Sequence, residues 1–313
     1  MALTDLSRCS VAARRRGEPL AGSAPVASRW LLIEHDGPWA KKHLETPPLL
    51  GRTGHEVEAL CASFGGRTLL IRRPLRRGPE GGSRSWYAVD TVRGTRVRGT
   101  WRTAEDLHAA ASALGAELSH SDDDAEPMIL VCTQGTRDAC CAVRGRPIVA
   151  RLAKEWPEET WECTHLGGHR FSGTLLTLPD GACYGYLDPD TVADVVRDHL
   201  AGRVHARNLR GVTRWDPPVQ AAIAAALEAH GPAAIDDAVP GLVDAGPGAS
   251  TRVEVLGSGP LPDTVVVDVV EEPLPEAPLS CGGPPKAHTA WRASVRGLEE
   301  ASNSPPAAAP GHG

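Results

Sequence analysis

Aromatic side chains are scarce in this chain: 4% of 313 residues, with only two Phe and three Tyr. No run approaches the ~18 consecutive apolar residues that would span a bilayer, so a membrane anchor is not expected. Met1–Leu20 carries Arg14, Arg15 and Arg16 in its middle and no apolar segment, which argues against a secretory signal and points to the cytoplasm. Positive charge is not in excess either. With 33 basic and 39 acidic residues the formal net charge is −6, which gives no reason to expect nucleic acid as a partner. No Cys-x-x-Cys pair occurs, which removes the usual dithiol redox motif. No His-Glu-x-x-His occurs, which removes the common zinc-protease motif. No pair of catalytic carboxylates stands out, so no glycosidase activity is expected.

What the chain does have is cysteine: Cys9, Cys61, Cys132, Cys140, Cys141, Cys163, Cys183 and Cys281. In a chain without an export signal these do not read as a disulfide scaffold. Five of the eight fall between 132 and 183, which reads as metal binding or catalysis. Cys9, Cys61, Cys183 and Cys281 are expected to be buried thiols serving as small apolar groups.

The rest of the chain divides by pattern. Residues 1–27 are small, basic and Pro/Gly-containing and are expected to be a flexible N-terminus. Residues 28–119 read as an N-terminal α/β lobe of βαββα type. Its strands are Trp30–Glu34, Arg67–Arg72 and Ser85–Val92, its first helix Glu56–Phe64, and an Ala-rich helix opens after Thr103. His120–Glu126 is acidic and reads as a linker.

Residues 127–231 open with the apolar strand Pro127–Cys132. A helix follows over Ile148–Glu155, then a strand Thr160–Thr164. A hairpin comes next, Thr174–Leu178 with Ala182–Leu187, then a helix Thr191–Leu200 capped by Asp190 and another over Pro218–Ala229. This order suggests a thioredoxin-type arrangement, giving a two-lobed α/β protein. Residues 232–313 are expected to add two strands, Thr251–Leu256 and Thr264–Val270, and a Pro-rich disordered tail. The halves share a loose strand–helix–strand–strand rhythm without a fixed-period repeat.

Cys132-Thr-Gln-Gly-Thr-Arg-Asp-Ala-Cys140-Cys141 is followed, 24 residues after Cys141, by His165-Leu-Gly-Gly-His169. Up to three thiols and two imidazoles thus lie within 38 residues. The Cys–Cys and Cys–His gaps are too long for a zinc finger. Gly167 and Gly168 break a helix, so the histidines are expected on a tight loop. Cys₂His₂ ligation of a [2Fe–2S] cluster fits, since imidazoles replacing thiolates raise the potential. Arg137, Asp138, Gly167 and Gly168 are expected around the ligands, tuning the cluster or simply satisfying the loops. Arg144, Arg146 and Arg170 read either as a rim for an acidic redox partner or as solvated surface. Trp161 and Phe171 read as core, and His35, His43, His55 and His108 as surface or capping residues.

The strings Val131–Ala142 and Trp161–Phe171, with Arg144-Gly-Arg-Pro147, Tyr184-Gly185, Trp30–Glu34 and Gly37-Pro-Trp39, resemble the sucrase/ferredoxin-like proteins over roughly residues 8 to 230. That group includes a bis-histidinyl branch of thioredoxin-like [2Fe–2S] ferredoxins, with relatives in fungi. The resemblance implies Cys132 and Cys141 as thiolate ligands and His165 and His169 as imidazole ligands, with Cys140 and Cys163 in reserve. It implies one-electron transfer and two redox partners, a reductase and an acceptor; imidazoles titrate near neutral pH, which would couple electron uptake to proton uptake. The readings from other classes are a zinc-stabilised binding module and a thiol enzyme using Cys140 or Cys141.

Overall fold

The computed structural model describes residues 8–297, apart from 48, 50, 75–81, 116–117, 119–125 and 247. The acidic linker, save Glu126, and the tail beyond 297 lie outside the described residues.

In the first half, β1 (Arg29–Glu34), α2 (Arg52–Ser63), β2 (Gly66–Arg72), β3 (Arg84–Asp90), β4 (Thr95–Trp101) and α3 (Asp106–Ser112) follow a short N-terminal helix, α1 (Cys9–Arg15). Trp30–Ile33 is apolar without alternation because β1 lies inside the sheet and is covered on both faces. β1 pairs parallel with β2 and antiparallel with β3, and β3 pairs antiparallel with β4.

The second half repeats this plan. β5 (Met128–Cys132), α4 (Ala139–Leu152), β6 (Thr160–Cys163), β7 (Leu175–Leu178), β8 (Ala182–Tyr184) and α5 (Val192–Leu200) follow in order. β5 pairs parallel with β6 and antiparallel with β7, and β7 pairs antiparallel with β8. In each half the spatial order is second, first, third, fourth strand, the order of a thioredoxin-type βαβ–ββα sheet. The two lobes are not separate sheets. β2 meets β6 antiparallel, with Ile71 opposite Cys163 and Arg72 opposite Glu162. This joins nine strands, among the described residues, in the order β4-β3-β1-β2-β6-β5-β7-β8-β9, where β9 is Leu209–Val212. The halves thus meet across an approximate two-fold axis between β2 and β6. α6 (Pro217–His230) then packs the sheet against a second sheet of β10 (Ala238–Ala245), β11 (Ser250–Gly257), β12 (Thr264–Pro278) and β13 (Pro285–Val295).

The structure departs from the sequence expectations at several points. Residues 8–27 are not loose: Cys9, Ser10 and Ala13 of α1 are buried, and Arg14 pairs with Asp188 at 2.7 Å. The first half has a fourth strand, β4, hidden in the sequence by its Arg and Thr residues. The helix expected at 148–155 starts at Ala139, where Asp138 caps it by accepting from the Cys140 N–H, and Pro147 falls inside it. Asp190 is not a cap; α5 starts after Thr191 without a side-chain cap. The C-terminal region has four strands rather than two, and β12 continues through Pro273, Pro275 and Pro278. β11 pairs with β12 only as far as Val270, so the prolines lie where, among the described residues, one edge of β12 has no strand partner and a missing N–H costs no ladder bond.

Candidate metal centre

β5 and β6 run parallel and end together, with Cys132 opposite Cys163. The loops that leave the carboxyl ends of such strands converge, and ligands are commonly held there. One loop carries Thr133–Asp138 into α4, and the other carries Thr164–Gly168 into the 3₁₀ turn His169–Phe171. Cys140 and Cys141 therefore stand in the first turn of α4. At 3.6 residues per turn, adjacent helical side chains point about 100° apart. The doublet is split accordingly: Cys141 faces Cys132 and His165, while Cys140 faces Cys9 and Cys281.

Sγ of Cys132, Sγ of Cys141 and a ring nitrogen of His165 lie within 4.8 Å of one another. His165 Nδ1 is 3.9 Å from the first sulfur and 3.6 Å from the second. His169 joins from behind, its Nδ1 3.3 Å from His165 Nε2. Gly167 and Gly168 both have positive φ, +80° and +62°, which folds the two histidines onto one side of the loop. A Cβ on Gly168 would stand 2.6 Å from the Arg210 guanidinium.

Two side chains fix the histidine loop. Gln134 Oε1 accepts from the His165 N–H at 2.9 Å, and its Nε2 donates to the Ala40 carbonyl at 2.6 Å. Arg210, fully buried on β9, donates to the Gly167 carbonyl at 3.1 Å and to Ser23 Oγ at 3.1 Å, and also to the Ser23 carbonyl. The helix and strand that carry the sulfurs are in close contact, since a Cβ on Gly145 would stand 2.1 Å from the Cys132 carbonyl oxygen.

The hydrogen bond from the Cys141 thiol holds Cys132 well below the usual thiol range, against the opposing effect of burial and with help from His165. Cys141 is raised by the same hydrogen bond and by burial. Burial lowers His169, with the Asp138 carboxylate opposing. In the neighbouring group, hydrogen bonds from Cys9 and then Ser10 bring Cys140 down to about 6 against burial, while burial raises Cys281 to about 11.

Of the residues singled out in the sequence, Cys132, Cys141 and His165 share one donor group, while His169 lies outside it and touches, of that group, only His165. Cys163 is fully buried beside them, its thiol raised by burial, and belongs to neither donor group. Arg137 lines a cavity of about 350 Å³ next to His165, together with Lys41, Lys42 and Arg67. Arg170 is tied to the buried Glu18, Arg144 is half-buried and Arg146 is exposed. Trp161 and Phe171 are core residues.

Several contributors were not legible in the sequence. Cys9 and Cys281 are not isolated core thiols but meet Cys140. His43 is half-buried and lines the cavity beside His165. Burial, then Arg67, His165 and Arg137, lower it to about 4, and its Nε2 is buried without a hydrogen-bond partner. Gln134 and Arg210 carried no local pattern that could have marked them.

Fold and site together define an α/β protein with a thioredoxin-order sheet and a thiol–imidazole centre at its strand ends. The chain belongs to the sucrase/ferredoxin-like family, which matches residues 20–211. It is similar to altered inheritance of mitochondria protein 32 of Meyerozyma guilliermondii, 27% identical over an 84-residue alignment that covers 24% of this chain. The match spans only 30% of the length of that relative. Among solved structures it is similar to a cysteine-to-serine variant of the thioredoxin-like [2Fe–2S] ferredoxin from Aquifex aeolicus. That match is 19% identical, covers 27% of this chain and 97% of that one, and has a TM-score of 0.25. Among the described residues no helix is long and apolar enough to cross a membrane.

Proposed function

We propose that this protein is a one-electron carrier whose [2Fe–2S] cluster is held by Cys132, Cys141, His165 and His169. The observation that carries the reading is the convergence of two buried sulfurs with His165 Nδ1 at 3.6 and 3.9 Å and His169 directly behind it. The donor set fits the group, since thiolates and neutral imidazoles are the ligands such clusters take. When bound, the cluster accepts and releases one electron, at a higher potential than with four thiolates.

The chain's own residues supply the rest. Cys132 and Cys141 are almost fully buried, so water is kept from the sulfur side. His165 and His169 are only half-buried, and their ring edges are the route by which electrons reach a partner. Gln134 and Arg210 hold the histidine loop rigid, which limits its movement between charge states. Lys41, Lys42, Arg67 and Arg137 around the adjacent cavity outnumber Glu45 and Glu58, which suits acidic reductase and acceptor proteins. All eight cysteines are unpaired, which fits residence in the reducing cytoplasm.

The test is anaerobic purification with iron and acid-labile sulfide analysis and electron paramagnetic resonance after reduction. A coloured protein with equal iron and sulfide is the expected outcome. Protein prepared in this way that holds zinc on Cys132 and Cys141, without iron, would instead favour the zinc-stabilised binding module, because three donors within 4.8 Å also suit one tetrahedral ion.

A further inference from the structure

The other thiol of the doublet opens on a second donor group. Cys9 of α1, Cys140 of α4 and Cys281 of the turn between β12 and β13 form a triangle of sulfurs with edges of 3.5, 3.2 and 3.7 Å. Asp138 Oδ1 lies 3.7 Å from the Cys9 sulfur, and these four residues have donor atoms within 4.8 Å of one another. We propose that Cys9, Cys140, Cys281 and Asp138 form a structural zinc site, distinct from the centre at Cys132 and Cys141.

Four points support this. The donor set is soft and sulfur-rich, which selects zinc over calcium, magnesium or manganese. The spacing fits one ion: with Zn–S near 2.3 Å, tetrahedral geometry places sulfurs about 3.8 Å apart, so the edges of the observed triangle need to open by about 0.1 to 0.6 Å. The outer contacts are already in place. Asp138 accepts from the N–H groups of Cys140 and Cys281, each at 2.9 Å, which orients its carboxylate and leaves lone pairs on both oxygens. Ser10 Oγ donates to the Cys140 sulfur at 3.2 Å, a contact that offsets thiolate charge. Finally, the donors come from three distant parts of the chain, and Cys9 and Cys281 lie outside the family-matched residues 20–211. One zinc would fasten both the N-terminal helix and the C-terminal sheet to the helix that carries Cys141. Binding would release to solvent whatever thiol protons the three cysteines still carry and leave four protein ligands with no open position.

The experiment uses the full chain equilibrated with zinc and then freed of excess, with zinc and iron measured separately by mass spectrometry. One zinc per chain is expected. Cys281→Ser, on a partly exposed turn, is expected to lose that zinc and keep its iron content, while Cys132→Ser is expected to keep it. Cys9→Ser is expected to behave as Cys281→Ser, and circular dichroism checks that both variants fold. Cobalt in place of zinc is expected to give sulfur-to-metal charge-transfer bands that vanish in Cys281→Ser. The proposal is overturned by wild-type protein that binds no zinc, by zinc that survives both Cys281→Ser and Cys9→Ser, or by a Cys140–Cys281 disulfide in fresh protein. Iron content bears on the first centre alone, so failure at one site is distinguishable from failure at the other.

Discussion

His169 Nε2 lies 3.6 Å from Asp138 Oδ2. This contact links the two donor groups. On one side His169 meets His165 and through it the Cys132–Cys141 pair; on the other Asp138 accepts from the N–H groups of Cys140 and Cys281. Asp138 also caps α4, so one carboxylate organises the start of the helix that carries both thiols. A negative group at a helix N-terminus is favourable in itself, and here it also orients the imidazole behind the first centre.

The opposite directions of the vicinal thiols lead to opposite expectations for them. Cys141→Ser is expected to lose most of the bound iron, because it removes a sulfur facing Cys132 and His165. Cys140→Ser is expected to keep it. Iron and labile sulfide per chain in the two variants check this; iron loss in Cys140→Ser alone would assign the ligand role to the other thiol.

Replacing an imidazole by a thiolate adds negative charge to the centre. His165→Cys and His169→Cys are each expected to retain a cluster and to lower its potential by roughly 100 mV or more, on the scale separating His-ligated from all-thiolate clusters. Spectroelectrochemical titration reads this out directly. An unchanged potential in both variants would argue against imidazole ligation.

Arg210 is a buried charge that satisfies carbonyls of two separate segments, Ser23 and Gly167. Arg210→Met is expected to destabilise the fold by about 3 kcal/mol, since buried acceptors lose a charged donor. Arg210→Lys should recover little, because one ammonium does not reproduce the planar fork. Urea midpoints check both, and a loss below about 1 kcal/mol in Arg210→Met would show that water replaces the guanidinium.

Gly145 lies where α4 crosses β5. Gly145→Ala puts a methyl group against the Cys132 carbonyl oxygen, at 2.1 Å before relaxation. The helix must shift, at a cost of about 2 kcal/mol or more. The shift carries Cys141 with it, so iron retention is expected to fall together with thermal stability. A variant with an unaltered melting point would show that the contact is softer than this spacing implies.

A network away from the site sets part of the acid sensitivity. Tyr184 Oη meets His199 Nδ1 at 2.8 Å, His199 Nε2 meets Asp180 at 2.8 Å, and Thr177 donates to Asp180 at 2.8 Å. Burial alone would raise Asp180, but His199, Thr177 and the Ala182 N–H outweigh it, so its folded pKa lies below the ordinary value. A depressed carboxyl stabilises the fold above its unfolded pKa of about 3.9, and that contribution is lost as pH falls through the folded value. Asp180→Asn is expected to cost about 2 kcal/mol near neutral pH and to flatten the stability profile below about pH 4. Urea midpoints measured across this range decide it; parallel profiles for the two proteins would exclude Asp180 as a source of acid sensitivity.

Much of the core was legible because it depends on local pattern. Trp30–Ile33 and Met128–Cys132 are apolar runs long enough for a strand and too short for a helix, and each became a central strand. The Cys–His spacing brought out Cys132, Cys141, His165 and His169, since scarce side chains at short separation are visible in one dimension. The strand Thr95–Trp101 was not legible, because Thr95, Arg96, Arg98, Gly99 and Thr100 resemble a loop and only Trp101 is buried. The prolines of Glu271–Pro278 masked a strand whose outer edge lacks a strand partner.

By itself, then, the sequence determined the α/β character of the chain and singled out Cys132, Cys141, His165 and His169, because composition and short spacings act locally. Only the tertiary structure decided that the two halves share one sheet through β2 and β6. It also separated Cys140 from Cys141 and brought Cys9 and Cys281 to the former across 131 and 141 residues. Contacts over such separations depend on how strands pair and on the pitch of a helix, which a linear pattern does not record.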